Sequence, residues 1–277
     1  MKDNKNIYEW FEELRTDQQN LLDALKKRNR HGIFKVLSEY PEPFQYIYEL
    51  LQNADDRKAT KVNFIFEKNL LIFAHNGDVF NRKDVDDFCG LGNTRKSNEK
   101  ETIGKFGIGF RSLYNICETP IIYSIIENQK ITFEIREENV PVIVKKDIFS
   151  NDDILKKFNT IFKFNLIKNI SLEEVESFII GYCKNVLLFL NNIKEIKYNI
   201  SSKSIDYKLK CKNQFNKRIL INNNQKKSYT EYFFYKEKIN IEKKEASISI
   251  AFKKNKSKYI QEDIPTLLNV YFPTREK

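Results

Sequence analysis

The sequence predicts an α+β protein, and three features of the apolar pattern lead to this fold class. Apolar residues recur at helical spacing in residues 7–28 and again in residues 46–56. Two stretches of alternating apolar residues, 61–66 and 70–74, flank a short turn and predict a β-hairpin. From Ile193 onward, short strand-like segments alternate with turns rich in Asn and Lys. Helices are therefore predicted together with strands that pair as antiparallel hairpins, as in α+β folds.

Other predicted elements fill the chain between these segments. We expect a break in the first helix near Thr16 and Asp17, and Pro41 and Pro43 end one short helix and open the next. Asn81 occupies the position of an N-cap for a short acidic helix. The remaining predicted elements are helices at 33–40, 81–89 and 172–191 and strands at 121–126, 130–135, 140–145 and 160–166.

Composition limits the protein class. With 277 residues, 41% of them hydrophobic, the chain is long enough for one large domain or two moderate ones. No apolar run is long enough to span a bilayer, and residues 1–6 are too polar for a signal peptide, so a cytoplasmic location without a membrane partner is expected. The four cysteines are scattered without a C-x-x-C pair, which indicates neither a zinc site nor a disulfide framework.

The stretch 103–110 contains three glycines, Gly104, Gly107 and Gly109, at spacings of three and two. Glycine allows the backbone to adopt positive φ and to approach a ligand closely. Residues 111–116 are predicted to form a helix, whose N-terminal end would favour an anion. The stretch therefore predicts a phosphate-binding loop, and a glycine-rich turn between core elements is the alternative.

The predicted helix at residues 46–56 carries polar side chains on one face. Glu49 and Asn53 are four residues apart and Asp56 follows three residues later, so that all three share that face. A carboxylate and a carboxamide are costly to bury on an otherwise apolar helix unless they have a partner. The face therefore predicts a site for a metal, a water or a ligand.

Two polar segments separate this helix from the glycine loop. His75, Asn76 and Gly77 form a polar turn directly after the second strand of the hairpin. Residues 92–97 are small, polar and cationic. They lie within a charged segment, 90–102, whose composition is typical of a mobile lid over phosphates.

In this order and spacing, the four pieces resemble the GHKL ATPase superfamily, whose nucleotide-binding domain has the Bergerat fold. The resemblance is closest to the sacsin and NO VEIN-like branch, whose hallmark sequence Glu-Leu-Leu-Gln-Asn-Ala-Asp-Asp is present from Glu49 to Asp56. The motifs extend to Phe110, and residues 159–164 resemble the strand whose threonine, here Thr160, contacts adenine in the family. The remainder of the chain matches only loosely.

The resemblance implies a fold and a domain arrangement. Residues 1–170 would form an ATP-binding domain of the Bergerat type, a two-layer α/β sandwich in which helices cover a mixed, mainly antiparallel sheet. Residues 171–277 would form a helix and a smaller, basic, β-rich segment. The chain is thus expected to stop within, or at the start of, an incomplete second domain.

The resemblance also implies how ATP and Mg²⁺ would be bound. Glu49 would be the catalytic base or water-orienting group for attack on the γ-phosphorus, and Asn53 would supply an oxygen to Mg²⁺. Lys96 of the lid would reach the phosphates, with Lys105 as a second candidate, and two solvated surface lysines are the alternative. The motifs imply nucleotide contacts by Asn53, Asp56, His75, Asn76, Gly77, Thr94, Lys96, Gly104, Lys105, Phe106, Gly107, Ile108, Gly109, Phe110 and Thr160.

One residue departs from the superfamily pattern. Most of the superfamily has an aspartate that accepts a hydrogen bond from the adenine amino group, and His75 occupies that position here. A neutral imidazole nitrogen or the Asn76 carbonyl oxygen would have to be the acceptor. The departure weakens the implied specificity for adenine.

The function that the resemblance implies is Mg²⁺-dependent ATP binding and slow hydrolysis. These would close the lid and switch the conformation of a chaperone-like, defence or DNA-processing machine. A protein partner or further domain is expected, and a homodimer through the ATPase domain is a further expectation. A histidine-kinase-like phosphotransferase is disfavoured, because the chain has only His31 and His75 and no dimerisation helix with a phosphoacceptor histidine. A scaffold with little turnover is the other alternative.

Charge is unevenly distributed along the chain. Residues 201–277 contain 18 Lys and Arg against 8 Asp and Glu, a net charge of +10 that equals the excess of the whole chain. A nucleic-acid surface is one explanation. The alternative is that lysines decorate exposed strands in a sequence rich in Lys, Asn and Ile, and the scarcity of Arg favours it.

Overall fold

The computed structural model describes residues 6–29, 44–90, 109–137, 139–145, 152–181, 183–212, 216–223, 227–241, 244–255, 258–259, 269–270 and 272–273. The α-helices are α1 (Ile7–Lys27), α2 (Gln45–Asp56), α3 (Arg82–Cys89), α4 (Asp152–Leu155) and α5 (Leu172–Gly181). A first 3₁₀ helix spans Gly109–Asn115 and a second spans Cys183–Leu188. None of the described helices is both long enough and apolar enough to cross a bilayer.

The strands outnumber the helices among the described residues. They are β1 (Lys61–Glu67), β2 (Leu70–His75), β3 (Ile121–Ile126), β4 (Gln129–Arg136), β5 (Val140–Ile143), β6 (Thr160–Asn165), β7 (Glu195–Ile200), β8 (Lys203–Lys212), β9 (Lys217–Asn222), β10 (Ser228–Ile241), β11 (Lys244–Asn255), β12 (Lys258–Tyr259), β13 (Asn269–Val270) and β14 (Phe272–Pro273).

Twelve of these strands form one sheet in the order β12-β11-β10-β9-β8-β7-β1-β2-β6-β3-β4-β5. Neighbouring strands are antiparallel except β1 and β7, which pair in parallel from Lys61 opposite Glu195 to Phe66 opposite Ile200. The predicted α+β class and the mixed, mainly antiparallel sheet are confirmed. The molecule is strand-rich, however, and the helices do not cover the sheet evenly.

The two faces of the sheet differ in what they contact. Alternating aromatic residues of β1, β2 and β6 point to the side that carries α1, α2 and the 3₁₀ helices, and they form the main core. On the other side a smaller cluster, which includes Ala74, Tyr123 and Ile161, packs under α4. The residues that project from β1, β2 and β6 into the main core are Val62, Phe64, Phe66, Leu71, Phe73, Phe162 and Phe164.

Local sequence explains where the first helices begin. Asn6 accepts hydrogen bonds from the N–H groups of Tyr8 and Glu9, at 2.9 and 3.0 Å, and forms a capping box at the start of α1. Asn81 and Asp84 form the same arrangement at α3, so the predicted Asn N-cap is confirmed. The predicted hairpin of β1 and β2 is also confirmed.

Several predicted elements differ from the structure. Helix α1 continues without a break through Thr16, whose hydroxyl donates to the Glu12 carbonyl oxygen at 2.8 Å. The predicted helix at 172–191 ends at Gly181, a poor helix former, and a 3₁₀ helix follows. The strands β10 and β11 are long rather than short, because each supports the other along almost its whole length. The predicted helix at 33–40 lies outside the described residues.

The sheet continues across residue 170, where the sequence predicts a domain boundary. Strand β6 precedes this point and β7 follows it, and both belong to the same sheet as β1. Ile196 and Tyr198 of β7 lie in the same core cluster as Phe64 and Phe73. The second part of the chain therefore extends the sheet of the first.

Candidate functional site

Helix α2 carries the predicted Glu49 and Asn53. Ile47, Leu50, Leu51 and Ala54 of this helix are completely or almost completely buried against the sheet and its neighbours. The side chains of Glu49, Asn53 and Asp56 are half-buried. Because α2 is a regular helix over these positions, the three polar residues share one face.

The Glu49 carboxylate has one neighbour on its own helix. Gln45 Nε2 donates to Glu49 Oε1 at 3.1 Å. Burial raises the pKa of Glu49, and the hydrogen bond from Gln45 opposes that rise to a smaller extent. The structure thus holds a carboxyl group whose protonation is favoured more than that of an exposed glutamate.

The first 3₁₀ helix packs against α2. It begins at Gly109, the last glycine of the predicted phosphate-binding loop. The chain that leaves that loop is therefore next to the helix that carries Glu49 and Asn53. The structure describes the backbone of Gly109 and Phe110; the predicted site residues outside the described residues are Thr94, Lys96, Gly104, Lys105, Phe106, Gly107 and Ile108.

His75 ends strand β2 and is buried, with 2% of its surface exposed. Its Nδ1 accepts a hydrogen bond from the Gly77 N–H at 3.2 Å. Burial, with a smaller effect from the positive charge of Arg57, lowers the pKa of His75 to about 3. The imidazole is therefore neutral near pH 7, and since Nδ1 is an acceptor, Nε2 carries the proton.

Asn76 has a different environment from His75. Its Oδ1 accepts from the backbone N–H groups of Thr60 and Lys61, both at 2.9 Å, and its Nδ2 donates to Thr60 Oγ1 at 2.9 Å. The Asn76 carboxamide thus fixes the start of β1. Its carbonyl oxygen already has two donors, which leaves little capacity for a ligand.

Gly77 lies where the backbone is crowded. A Cβ atom at this position would lie 2.5 Å from the Arg57 carbonyl oxygen and 3.0 Å from the Ala59 nitrogen. Asn159 Nδ2 donates to the Gly77 carbonyl oxygen at 3.1 Å, and the Asn159 N–H donates to the His75 carbonyl oxygen at 3.1 Å. The turn therefore needs glycine and is held from the β6 side.

Three buried polar side chains form a row across neighbouring strands. Thr160 lies opposite His75 in the β2–β6 register and opposite Ser124 in the β3–β6 register. The hydroxyl oxygens of Ser124 and Thr160 are 3.1 Å apart, and the Phe80 N–H donates to Ser124 Oγ at 3.3 Å. By strand alternation, the row faces the side of the sheet that carries α2.

Sequence reasoning missed two residues of this region. Ser124 interrupts the otherwise aliphatic and aromatic strand Ile121–Ile126. A small polar residue in such a strand could have indicated a buried hydrogen-bonding group. Asp55 is 1% exposed, and its carboxylate accepts from the N–H groups of Asn191, Asn192 and Ile193 at 3.0, 2.7 and 2.9 Å. Its position four residues after Leu51, on the buried side of α2, was the signal for a structural role.

Arg57 connects the end of α2 to α3. Its guanidinium pairs with Asp84 and lies 5.2 Å from the centre of the Phe80 ring. Its carbonyl oxygen accepts from the Asp78 N–H at 2.7 Å. These contacts fix the turn that follows His75. Among the described residues, no group of three or more His, Cys, Asp or Glu side chains is arranged to hold a metal ion.

Comparison with known proteins places part of this region in a family context. Residues 70–174, from β2 into α5, match the model of the Sacsin domain. Sacsin of Homo sapiens is 35% identical over an alignment that covers 33% of this chain and 2% of the human protein. Protein NO VEIN of Arabidopsis thaliana is 32% identical over 31% of this chain and 3% of the plant protein.

These similarities support the sacsin-like branch. The matched segment includes His75, Thr160 and the glycine loop, whereas α2 precedes it. The alignments cover only 2% and 3% of the length of these two relatives, so the similarity applies to a small part of each.

Proposed function

We propose that this chain binds ATP with Mg²⁺ in a site of the Bergerat type and hydrolyses it slowly. The observation that carries the proposal is the position of Glu49 and Asn53, one helical turn apart on the half-buried face of α2, next to the 3₁₀ helix that begins at Gly109. The resemblance to the GHKL superfamily supplies the reaction class.

Glu49 suits the role of a base that orients water. Its carboxylate is half-buried, so a water beside it would be shielded from bulk solvent, and its raised pKa brings it nearer to the range useful for proton transfer. Gln45 donates to Oε1, which leaves Oε2 to accept from the attacking water. In phosphoryl transfer such a residue mainly positions the nucleophile.

Asn53 would contribute its carboxamide oxygen to Mg²⁺, which prefers hard oxygen ligands and retains several waters or phosphate oxygens. The carboxamide oxygen of Asn53 is a donor of the type that this ion prefers. Bound Mg²⁺ would neutralise phosphate charge. The glycine loop and Lys96, which the sequence places after α3, would contact the same phosphates.

The nucleoside would lie towards the row of Ser124, Thr160 and His75. Neutral His75 with its proton on Nε2 is a hydrogen-bond donor, and the Asn76 carbonyl oxygen is occupied. A base that presents a ring-nitrogen acceptor to His75 would therefore be matched, and the hydroxyl of Thr160 or Ser124 is the better candidate to accept from an amino group.

Nucleotide binding would act through conformational change. We propose that ATP closes the segment 90–102 over the phosphates and alters contacts with a protein partner, a further domain or a second protomer. The chaperone-like, defence and DNA-processing roles that the resemblance implies would share this switch.

Calorimetric titration with ATP and with a non-hydrolysable analogue, in the presence of Mg²⁺, tests the proposal together with a phosphate-release assay. We expect binding by the wild type, loss of binding in Asn53→Ala, and retained binding without hydrolysis in Glu49→Ala. Glu67→Gln, at the exposed end of β1, serves as the control and should resemble the wild type. Absence of binding to any adenine nucleotide would refute the ATPase proposal and leave a scaffold.

A further inference from the structure

The outer face of the sheet at β9, β10 and β11 carries exposed apolar and aromatic side chains. Phe233 and Tyr235 on β10 lie opposite Phe252 and Ile250 on β11, so the four side chains project from the same face. Tyr235, Ile250 and Phe252 are 42%, 43% and 41% exposed, and Phe233 is half-buried. We name Phe233, Tyr235, Ile250 and Phe252 the aromatic face.

The aromatic face is not needed for the core, because the opposite side of the same strands is already packed. The ring centres of Phe234 and Phe189 are 6.2 Å apart. The guanidinium of Arg218 lies 3.3 Å from the centre of the Phe234 ring. Tyr232 donates its hydroxyl proton to Asn185 Oδ1 at 3.1 Å. Side chains of this size left on an outer face indicate an interaction surface.

Charged residues border the aromatic face. At one end Glu237, two residues after Tyr235 on the same face, accepts a hydrogen bond from the Tyr235 hydroxyl at 2.6 Å. At the other end the border contains lysines. Lys217 on β9 lies opposite Phe233, and Lys254 follows Phe252 by two residues on β11. Both lysines lie near Glu231, at 3.3 and 3.5 Å, so this carboxylate is compensated twice. Lys210 on β8 is exposed beyond them. The wider segment 201–277 supplies the whole net charge of the chain.

We propose that the aromatic face binds single-stranded nucleic acid, with bases stacked on Phe233, Tyr235 and Phe252 and phosphates near Lys210, Lys217 and Lys254. Rings on directly opposite residues of an antiparallel pair start about 5 Å apart, which places aromatic planes within reach of successive bases. Stacking combined with a cationic border is the usual basis of binding to single strands.

The same residues predict weak sequence preference. Arg218, the arginine of β9, is turned to the other side, where it donates to the Leu188 carbonyl oxygen. The cations of the border are therefore lysines, which contact phosphates as point charges and do not read base edges in the bidentate manner of arginine. Binding would be salt-dependent and tolerant of sequence. It is independent of the ATP site proposed above.

The proposal is tested by titrating the full chain into labelled oligo(dT) and oligo(U) of about 15 nucleotides and measuring the fluorescence anisotropy of the label. We expect Tyr235→Ala/Phe252→Ala to weaken binding by about tenfold or more, since stacking dominates. Tyr8→Ala removes a tyrosine of α1 that is 51% exposed and lies outside the aromatic face, so it should leave the affinity unchanged. Lys217→Gln/Lys254→Gln should make the negative slope of log K against log salt shallower by about 1.4, because two phosphate contacts of about 0.7 each are lost. Glu231→Gln should tighten binding, because it removes the intervening negative charge.

Circular dichroism and thermal melting would establish that each variant is folded, which is expected because the substituted side chains are partly exposed. Absence of oligonucleotide binding by the wild type at low salt would overturn the proposal. Unchanged affinity in the Tyr235→Ala/Phe252→Ala variant would also overturn it. If sedimentation instead showed self-association that this variant abolished, without oligonucleotide binding, the aromatic face would be an interface between copies of the chain.

Discussion

At the scale of single residues, the turn at Gly77, which the sequence predicts to contact a nucleotide, is also a packing requirement. Gly77→Ala should destabilise the fold by about 1–3 kcal/mol, because the new methyl group would lie 2.5 Å from the Arg57 carbonyl oxygen and 3.0 Å from the Ala59 nitrogen, and backbone atoms cannot move aside as the end of a side chain can. Equilibrium denaturation with urea would measure the loss in the free energy of unfolding.

Gly181→Ala is the matched control for this substitution. A Cβ atom at Gly181 would have no neighbour within 4 Å, and the residue ends α5, where alanine is the better helix former. The free energy of unfolding should be unchanged or slightly higher. Equal losses at Gly77 and Gly181 would show that crowding around Gly77 is not the cause.

Residue types and spacing predicted part of the candidate site from the sequence. Glu49 and Asn53 are visible because two polar residues four apart interrupt an apolar helix. The different roles of His75 and Asn76 are not visible, because they depend on which backbone N–H groups lie near each side chain. Only the folded register of β1 and β2 supplies that information.

At the scale of elements, Asp55 connects α2 to the chain that enters β7. Asp55→Asn replaces one carboxylate oxygen with an amide that cannot accept, so at least one buried N–H of residues 191–193 loses its partner. We expect a loss of about 2–4 kcal/mol in the free energy of unfolding, which chemical denaturation would measure.

Asp78→Asn is the corresponding control. The Asp78 side chain is 64% exposed and lies 4.0 Å from Lys58, so its charge contributes little to stability. The control should change the free energy of unfolding by less than about 0.5 kcal/mol. If Asp55→Asn behaved in the same way, the three N–H groups near residue 192 would not depend on the carboxylate.

Elements with strong local signals were predicted well. The β1–β2 hairpin and the N-cap of α3 follow from alternation and from Asn81. The length of β10 and β11 was missed, because each strand depends on its partner rather than on its own composition. The change from α-helix to 3₁₀ helix after Gly181 also depends on packing that local spacing does not record.

At the scale of the whole molecule, the sheet joins the two parts that the sequence separates at residue 170. The parallel pairing of β1 with β7 has no local signal, because the two strands are more than 120 residues apart in the chain. The ring of Tyr198 in β7 stacks on that of Phe64, with 5.1 Å between the ring centres. The ring centres of Phe178 in α5 and Phe44 are 4.7 Å apart. The core of the first part therefore includes side chains from the second.

A fragment of residues 1–170 should consequently fail to fold stably. It would leave β1 as an open edge, expose Phe64, and bury the Asp55 carboxylate without its three N–H donors. A fragment of residues 1–223 retains β7, β8 and β9 and should fold with reduced stability. Hydrogen exchange and thermal melting of both fragments beside the full chain would measure this difference. A cooperative melt and protected amides in fragment 1–170 would contradict this expectation. Residue 170 would then mark a true domain boundary, because the sheet would be stable without β7.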